Sequence, residues 1–274
     1  WQREWFGSTD FQQQLQYWKN KLADAPYTLD LPTDHPRPPV QTSNGANIAR
    51  MLPDDLSAGV LALAERENCS LFMVLLAAFD VLLGRWASAD EVVVGTPIAG
   101  RKHTELEGMI GFLSNTLALP ANLAGDPAFS TLLTQLKATA LAAYGHQELP
   151  FEKLVEELQP ERALSHAPIF QVMFVFQNTP QAEVNFGKLA ARSISFEMGI
   201  AKFDLLLEMA ETPEGLRAGL QYNTDLFDAA TIERLLDHFE TLLGGIVAQP
   251  EARISELPLM DAAERQHVLT DFNA

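Results

Sequence analysis

Hydrophobic positions along the chain alternate between the helical period and the strand period, without a strict rhythm. Residues 9–23 place Phe11, Leu15, Trp18 and Leu22 at helical spacing, with Thr9 or Asp10 available as the cap. A strand is predicted near Asn47–Leu52, and a helix behind it is capped by Asp54 or Asp55. From Ser70 to Trp86 the stripe Leu71, Val74, Leu75, Ala78, Phe79, Leu82, Leu83 and Trp86 marks the most apolar helix, the expected centre of the core. Val92-Val93-Val94 before Gly95 suits a buried strand, and Asn115–Leu119 predicts another.

Asp126-Pro127 reads as an N-cap and first helical position for a helix carrying Phe129, Leu132, Leu133, Leu136, Ala140 and Leu141. A short helix is expected over 151–158 and a buried strand over 169–176. Two strands, 203–209 and 216–222, form a hairpin around Thr212-Pro213-Glu214-Gly215. Asp228 caps a long last helix with Ile232, Leu235, Leu236, Phe239, Leu242 and Leu243 on one face, and a polar tail follows Pro250. Between the first helix and first strand, Pro26, Pro32, Pro36, Pro38 and Pro39 crowd one stretch. It must run extended over a surface, since proline fixes φ and removes a donor. The pattern is that of an α/β chain, an α+β two-layer sandwich with a mixed sheet and helices packed on one face.

Composition narrows the function. The chain has 274 residues, 47% of them hydrophobic, enough for a sizeable core. A net charge of −17 with no basic stripe argues against nucleic acid and against an anionic membrane as partners. No apolar run approaches the ~18 residues of a membrane span. Cys69 is the one cysteine, which excludes an internal disulfide and a thiolate cluster, and it is expected as a small buried hydrophobe. Trp1-Gln2-Arg3 lacks an initiator Met and begins inside a helical pattern, so the chain reads as a piece of something larger, in the cytoplasm by default.

Catalytic signatures are sparse. There is no Gly-rich phosphate loop and no G-x-S-x-G elbow. His35, His103, His146, His166, His238 and His267 include no pair at i+3 or i+4, so no metal site is expected. His146 and His166 read as hydrogen-bonding loop residues, and Glu152, Glu156 and Glu157 as a solvated helix face.

Three segments carry more. Ile110-Gly111-Phe112-Leu113-Ser114-Asn115-Thr116 resembles the motif I/V-G-x-F-V-N-T of the condensation domains of nonribosomal peptide synthetases, with Ser114 for Val. His146-Gln147-Glu148-Leu149-Pro150-Phe151-Glu152 is similar to that family's HQDxPFE, with Glu148 for Asp. Arg162-Ala163-Leu164-Ser165-His166-Ala167-Pro168-Ile169 looks like RDxSxxPL, with Ala163 for Asp. The three stand in the family's order, and flanking segments such as Gly95-Thr96-Pro97-Ile98-Ala99-Gly100-Arg101 and Lys202-Phe203-Asp204-Leu205 agree.

The resemblance implies the C-terminal lobe of a chloramphenicol-acetyltransferase-like fold. Residues 1–24 would be a helix continuing from a missing N-terminal lobe, 25–45 a Pro-rich linker, 46–250 the lobe itself, and 251–274 the start of a linker to the next synthetase domain. It implies peptide-bond formation between thioesters on the phosphopantetheine arms of upstream and downstream carrier proteins, beside an adenylation domain, with no cofactor bound directly. The family's HHxxxDG motif is not in this sequence, so no catalytic residue is expected here. Arg101, Asn115, Arg162 and Ser165 are the implied tunnel or lobe-interface residues. Gly111, Thr116, His146, Pro150, Phe151 and Pro168 are the structural ones. Residues 97–108 would floor the tunnel, and 177–199, containing a strand-like Ser193-Ile194-Ser195-Phe196, would form a latch to the other lobe. Plainer roles stay open: a tight turn at Gly111, backbone satisfaction by Asn115, an ordinary surface cation at Arg162. An epimerization-domain lobe and a non-catalytic carrier-docking lobe are the competing functions.

Overall fold

The structure is a computed structural model that describes residues 2–101, 104–160, 163–177 and 198–270. Six strands form one mixed sheet: β1 (Gly45–Met51), β2 (Glu91–Ile98), β3 (Asn115–Asn122), β4 (Val172–Gln177), β5 (Leu205–Thr212) and β6 (Gly215–Asn223), in the order β1-β6-β5-β4-β2-β3. β4 runs parallel to both β2 and β5, and the other pairs are antiparallel. The predicted hairpin is β5–β6, with Thr212 opposite Gly215 at φ +116°, a conformation that glycine tolerates best.

Alternation sets the two faces of the sheet. Val94, Val172, Leu205 and Tyr222 are register partners in series and share one face. Against that face lie α3 (Asp54–Arg66), α4 (Leu71–Ala87), α6 (Phe129–Gly145) and α8 (Ala229–Ala248). Every residue of α4 from Met73 to Gly84 is buried, as expected for a helix apolar all round. Phe79 meets Phe174 of β4 and Phe239 of α8, with ring centroids 6.1 and 6.2 Å away. Each such side chain contributes about 1.5–3 kcal/mol by leaving water.

Among the described residues, the opposite face is covered at the β2–β3 end. Gly95 points there, and a Cβ on it would lie 2.2 Å from the Phe170 ring, so glycine admits that ring. Phe170 packs on Phe151 of α7 (Phe151–Leu158) at 5.3 Å, and α2 (Thr9–Lys21) lies against α7. Short α1 (Gln2–Trp5) and α5 (Thr104–Glu107) complete the motif side, and α9 (Ala262–Leu269) follows α8.

Several termini differ from the sequence pattern. Ser8, not Thr9 or Asp10, caps α2 by accepting from the Phe11 amide at 3.1 Å. Asp54 and Asp55 fall inside the first turn of α3, where the positive helix end favours them, and Pro53 holds the cap position. Asp126 does not cap α6, which begins two residues later than Pro127. Its carboxylate instead accepts from the Ser255 amide and hydroxyl at 2.9 and 2.7 Å, with Asp126 at φ +54°. Asp228 holds the cap position of α8 but turns its carboxylate to His35 at 2.9 Å, while Asp34 accepts from the Asp228 amide and Thr231 hydroxyl.

The tail after Pro250 is also more than polar. Ile254 and Leu257 are buried, Arg85 donates to both their carbonyls, and α9 forms beyond them. Cys69 is half-buried rather than buried, its Sγ 3.4 Å from the Glu67 carbonyl, and burial together with Glu67 raises its thiol pKa against the opposing pull of Lys137. The Pro-rich stretch does run along the surface, anchored by buried Leu29 and Leu31.

Candidate functional site

The first two motif segments come together where β3 begins. Asn115 stands at the first position of β3, and its Nδ2 donates to the Gln147 and Leu149 carbonyls at 3.0 and 2.7 Å. Its Oδ1 accepts from the Phe151 amide at 3.0 Å. One side chain therefore ties the first motif to the loop between α6 and α7, which is the second motif. Its amide performs backbone satisfaction, one of the two roles the sequence leaves open for Asn115.

Two glutamines repeat the device. Gln14, on the buried stripe of α2, accepts from the Glu148 and Leu149 amides, both at 3.1 Å. Gln171, just before β4, accepts from the Leu29 amide at 2.9 Å and donates to the Tyr27 and Ala167 carbonyls at 2.8 and 2.9 Å. The third motif and the Pro-rich stretch are thus both fixed to the start of β4. Buried loop carbonyls and amides must find partners, and here three side-chain amides supply them.

An ion pair completes the frame. Arg37, among the prolines, grips the Asp204 carboxylate with both guanidinium nitrogens at 3.1 and 2.5 Å and reaches the Ser165 carbonyl at 3.4 Å. Asp204 is 2% exposed, and the planar guanidinium fork matches a carboxylate in two bonds where a lysine offers only a point charge. Pattern reading gives no role to Arg37, Gln14 or Gln171. The signal for Gln14 is a polar residue among Phe11, Leu15 and Trp18 on an otherwise apolar stripe.

The histidines of the motifs are bound to backbone. His146 ends α6, places Nδ1 2.8 Å from the Ala142 carbonyl, stacks on Tyr17 at 3.9 Å and 5°, and accepts Trp18 Nε1–H on its own carbonyl at 2.8 Å. His166 has Nδ1 3.2 Å from the Ala167 carbonyl. Pro150 is the N-cap residue of α7, and its carbonyl accepts from the Lys153 amide. Thr116 pairs with Pro97 in the β2–β3 ladder. The Pro168 carbonyl accepts from the Phe170 amide, and Ile169 between them sits at φ +70°.

Beyond this frame lies an exposed set of apolar side chains among the described residues. Ile110 is fully exposed and Phe112 90% exposed, with Met109 beside them and Leu164 of the third motif exposed too. Gly111 has no positive φ, and a Cβ there would meet nothing within 4 Å, so the fold of this chain does not itself require a turn glycine. Gly100 does require one: it has φ +64°, and a Cβ would fall 1.9 Å from the Leu113 carbonyl oxygen. Arg101 next to it donates to the Leu106 carbonyl, closing the loop between β2 and α5. Arg162, His103 and most of the expected latch, 178–197, lie outside the described residues. Among the described residues no cluster of His, Cys, Asp and Glu is arranged to hold a metal ion, and no single helix is long and apolar enough to cross a membrane.

Known proteins agree with this picture. The family model described as "Condensation domain" matches residues 1–269. The chain is 48% identical to a linear gramicidin synthase of Brevibacillus parabrevis over 100% of its length, which is 5% of that protein. It is 40% identical to chondramide synthase of Chondromyces crocatus, again over 100% of its length and 7% of the relative. In fold it matches a four-domain nonribosomal peptide synthetase bound to AMP and glycine, with TM-score 0.87 and 27% identity over 93% of this chain and 21% of that one. The X-domain from teicoplanin biosynthesis matches with TM-score 0.82 and 25% identity, over 93% of this chain and 58% of that one. The chain thus spans less than a tenth of the length of these two curated synthases.

Proposed function

The chain belongs to the condensation-domain family, and on that footing we propose that it is the C-terminal lobe of a domain that makes peptide bonds in nonribosomal synthesis. In that reaction the amine of a carrier-bound acceptor attacks the thioester carbonyl of a carrier-bound donor. A C–N bond forms, the C–S bond breaks, and the donor's phosphopantetheine thiol leaves with the proton the amine gives up. The observation that supports this lobe's part is that Asn115 of the first motif fastens the second motif through three backbone bonds, beside the exposed Ile110 and Phe112.

On this reading the lobe supplies one wall of a tunnel. Met109, Ile110 and Phe112 face the N-terminal lobe, and the open space over Gly111 admits its close approach. Arg101, Arg162 and Ser165 belong to the same wall, and the latch spans 177–199. The contribution is positioning: holding two tethered reactants in register supplies on the order of 7 kcal/mol of a barrier or more. The partners are the N-terminal lobe, the carrier proteins on either side and a neighbouring adenylation domain. By itself the chain is inactive, because a general base worth about 100-fold to 10,000-fold and the second wall come from the other lobe.

The test supplies donor- and acceptor-loaded carrier proteins to the chain alone, then adds a separately expressed N-terminal lobe. Dipeptide is expected only after the addition. Product before it overturns the positioning role, and no product with both lobes present points to a docking lobe instead.

A further inference from the structure

The Pro-rich stretch between α2 and β1 does more than cross a surface. In the described part of the third motif, three carbonyls are taken by donors from elsewhere in the chain. The Leu164 carbonyl accepts from the Gln41 amide at 2.7 Å, and the Ser165 carbonyl from Arg37 Nη1 at 3.4 Å. Gln171 Nε2 holds the Ala167 carbonyl at 2.9 Å. Two of the three donors therefore belong to residues 37–41, and Arg37 stands 128 positions before Ser165.

A brace needs its own anchor, and Asp204 provides it. Its carboxylate takes both guanidinium nitrogens of Arg37. Its amide donates to the Gln171 carbonyl and its carbonyl accepts from the Asn223 amide, both at 3.0 Å. The buried carboxylate is thus set between the start of β4 and the end of β6. Gln41 adds a second anchor, its Nε2 donating to the Lys202 carbonyl at 3.0 Å. Pro36, Pro38 and Pro39 fix φ on either side of Arg37, which lowers the entropy lost in holding the stretch extended.

The bond to Ser165 is the longest of the set, and the guanidinium plane is what directs it. The same Nη1 that reaches Ser165 also bonds Asp204 Oδ1, so the rigid fork fixes both directions together. A lysine ammonium on its flexible stem answers the carboxylate but leaves the carbonyl free. Leu164, beside Ser165, is exposed, so the brace orients a side chain that projects from the lobe rather than one packed in its core.

We propose that Arg37 is a positioning residue for peptide-bond formation. Anchored on Asp204, the stretch 37–41 fixes the backbone of the third motif, and with it the place of Leu164 and Ser165 in the tunnel wall. This role rests on the reading of the lobe as one wall of that tunnel.

The informative variant is Arg37→Lys, since Arg37→Ala strands a buried carboxylate at a cost to the fold itself. In the intact chain, serine with a 13C carbonyl and histidine with 15N meet in one peptide, Ser165–His166, because no other serine precedes a histidine. Its HNCO signal is expected to move in Arg37→Lys. It should move too in Gln41→Pro, which deletes the amide donor to Leu164, leaves Asp204 paired, and carries the same expectations if the lysine variant folds poorly. Arg50→Lys is the control, because Arg50 also bonds a carboxylate and a carbonyl, but on α8, and its signal is expected to stay. In the two-lobe reaction, well below Tm, kcat per folded chain is expected to fall on the order of tenfold in Arg37→Lys and Gln41→Pro, with KM for the loaded carrier proteins unchanged. A merely destabilising change recovers at such temperatures, and Arg50→Lys should keep the wild-type kcat. An unmoved signal in Arg37→Lys, a wild-type kcat despite a moved signal, or an equal deficit in Arg50→Lys each overturns the role of Arg37. No product from the wild-type lobes overturns instead the tunnel-wall reading beneath it, whatever the labelled peptide does.

Discussion

The two faces of the sheet are held by different physics. On one, α4 buries every residue from Met73 to Gly84 among aliphatic and aromatic neighbours. Around the other and at the β3 edge, Asn115, Gln14 and Gln171 spend their amides on loop carbonyls and amides, and Arg37 grips Asp204. The first face is non-directional and tolerant, because apolar residues of similar volume can replace one another at modest cost. The second is directional, and each amide sets the relative position of segments far apart in the chain. A wall that must present loops in a fixed geometry is better served by the second kind of bonding.

The sharpest way to break the first face is Phe79→Ala. Its ring contacts on β4 and α8 are lost and a cavity is left, at a cost of about 3–5 kcal/mol. In a chain of this size each kcal/mol shifts Tm by about 2–4 °C, so thermal unfolding should show a drop of about 6–20 °C. Phe79→Leu, closer in volume, should lose much less. Equal losses in both would mean that this face is not tolerant after all.

Asn115→Ala is the matching break in the polar frame and should cost about 2–3 kcal/mol, since three backbone groups lose their partner and solvent reaches only part of the site. Asn115→Asp keeps the acceptor for Phe151 but sets a carboxylate against the Gln147 and Leu149 carbonyls. It should therefore be no milder than alanine. Urea unfolding measures both. A Tm within a degree or two of wild type for Asn115→Ala, together with lost condensation in the two-lobe reaction, would show that Asn115 acts on substrate more than on the loop.

Much of the first face is legible in the sequence, and the helix ends and the second face much less. The stripe through Val74, Phe79 and Leu83 announces α4, and the Thr212–Gly215 turn announces the hairpin, because both are local patterns. Helix ends mislead because Ser8, Thr9 and Asp10 are adjacent candidates for one cap, and because Asp126 is recruited by Ser255, 129 residues away. Arg37 and Asp204 are 167 positions apart and neither belongs to a periodic element that points at the other. The motif order indicates the family through resemblance. It does not indicate that the motif residues mostly bind backbone, since a side chain's partner across the fold leaves no trace in spacing. Polar residues on apolar stripes, Gln14 and His238, are the available signal.

One polar residue on the apolar face tests whether that face is as uniform as it looks. Asp80 is 1% exposed in the middle of α4, and neither carboxylate oxygen has a hydrogen-bond partner. Desolvation raises its pKa well above the ordinary carboxylate value, because nothing there compensates a charge. The folded state holds the proton that the unfolded state releases. Stability from this group is therefore complete below the ordinary carboxylate pKa and is lost as pH rises toward the raised one. Asp80→Asn, nearly isosteric and uncharged, should be more stable than wild type at neutral pH, with the advantage shrinking as pH falls toward about 4. Thermal melts across pH check this, and a difference constant with pH would mean the carboxyl is not held neutral.

The smallest expected effect lies at Asp126, and it has the opposite pH sign. Hydrogen bonds from the Ser255 hydroxyl and then its amide hold the Asp126 carboxyl below the ordinary range, against a slight desolvation and with help from Arg253 and Arg85. The group is solvent-exposed, so water competes for every one of these bonds and the gain is small. A lowered folded pKa means that the stabilisation is present above the unfolded value and is lost as pH falls through the folded one. Asp126→Asn should therefore be slightly less stable than wild type from neutral pH down to about pH 4 and converge with it in stronger acid. Added salt should shrink the difference. Because Asp126 fastens the segment that carries Ile254 and Leu257 over α4, the same variant should speed hydrogen exchange at 253–257 while leaving the loop at 147–151 unchanged. Faster exchange at both places would mean that the two faces are coupled through the core, and that their separation into a tolerant and a directional side does not hold.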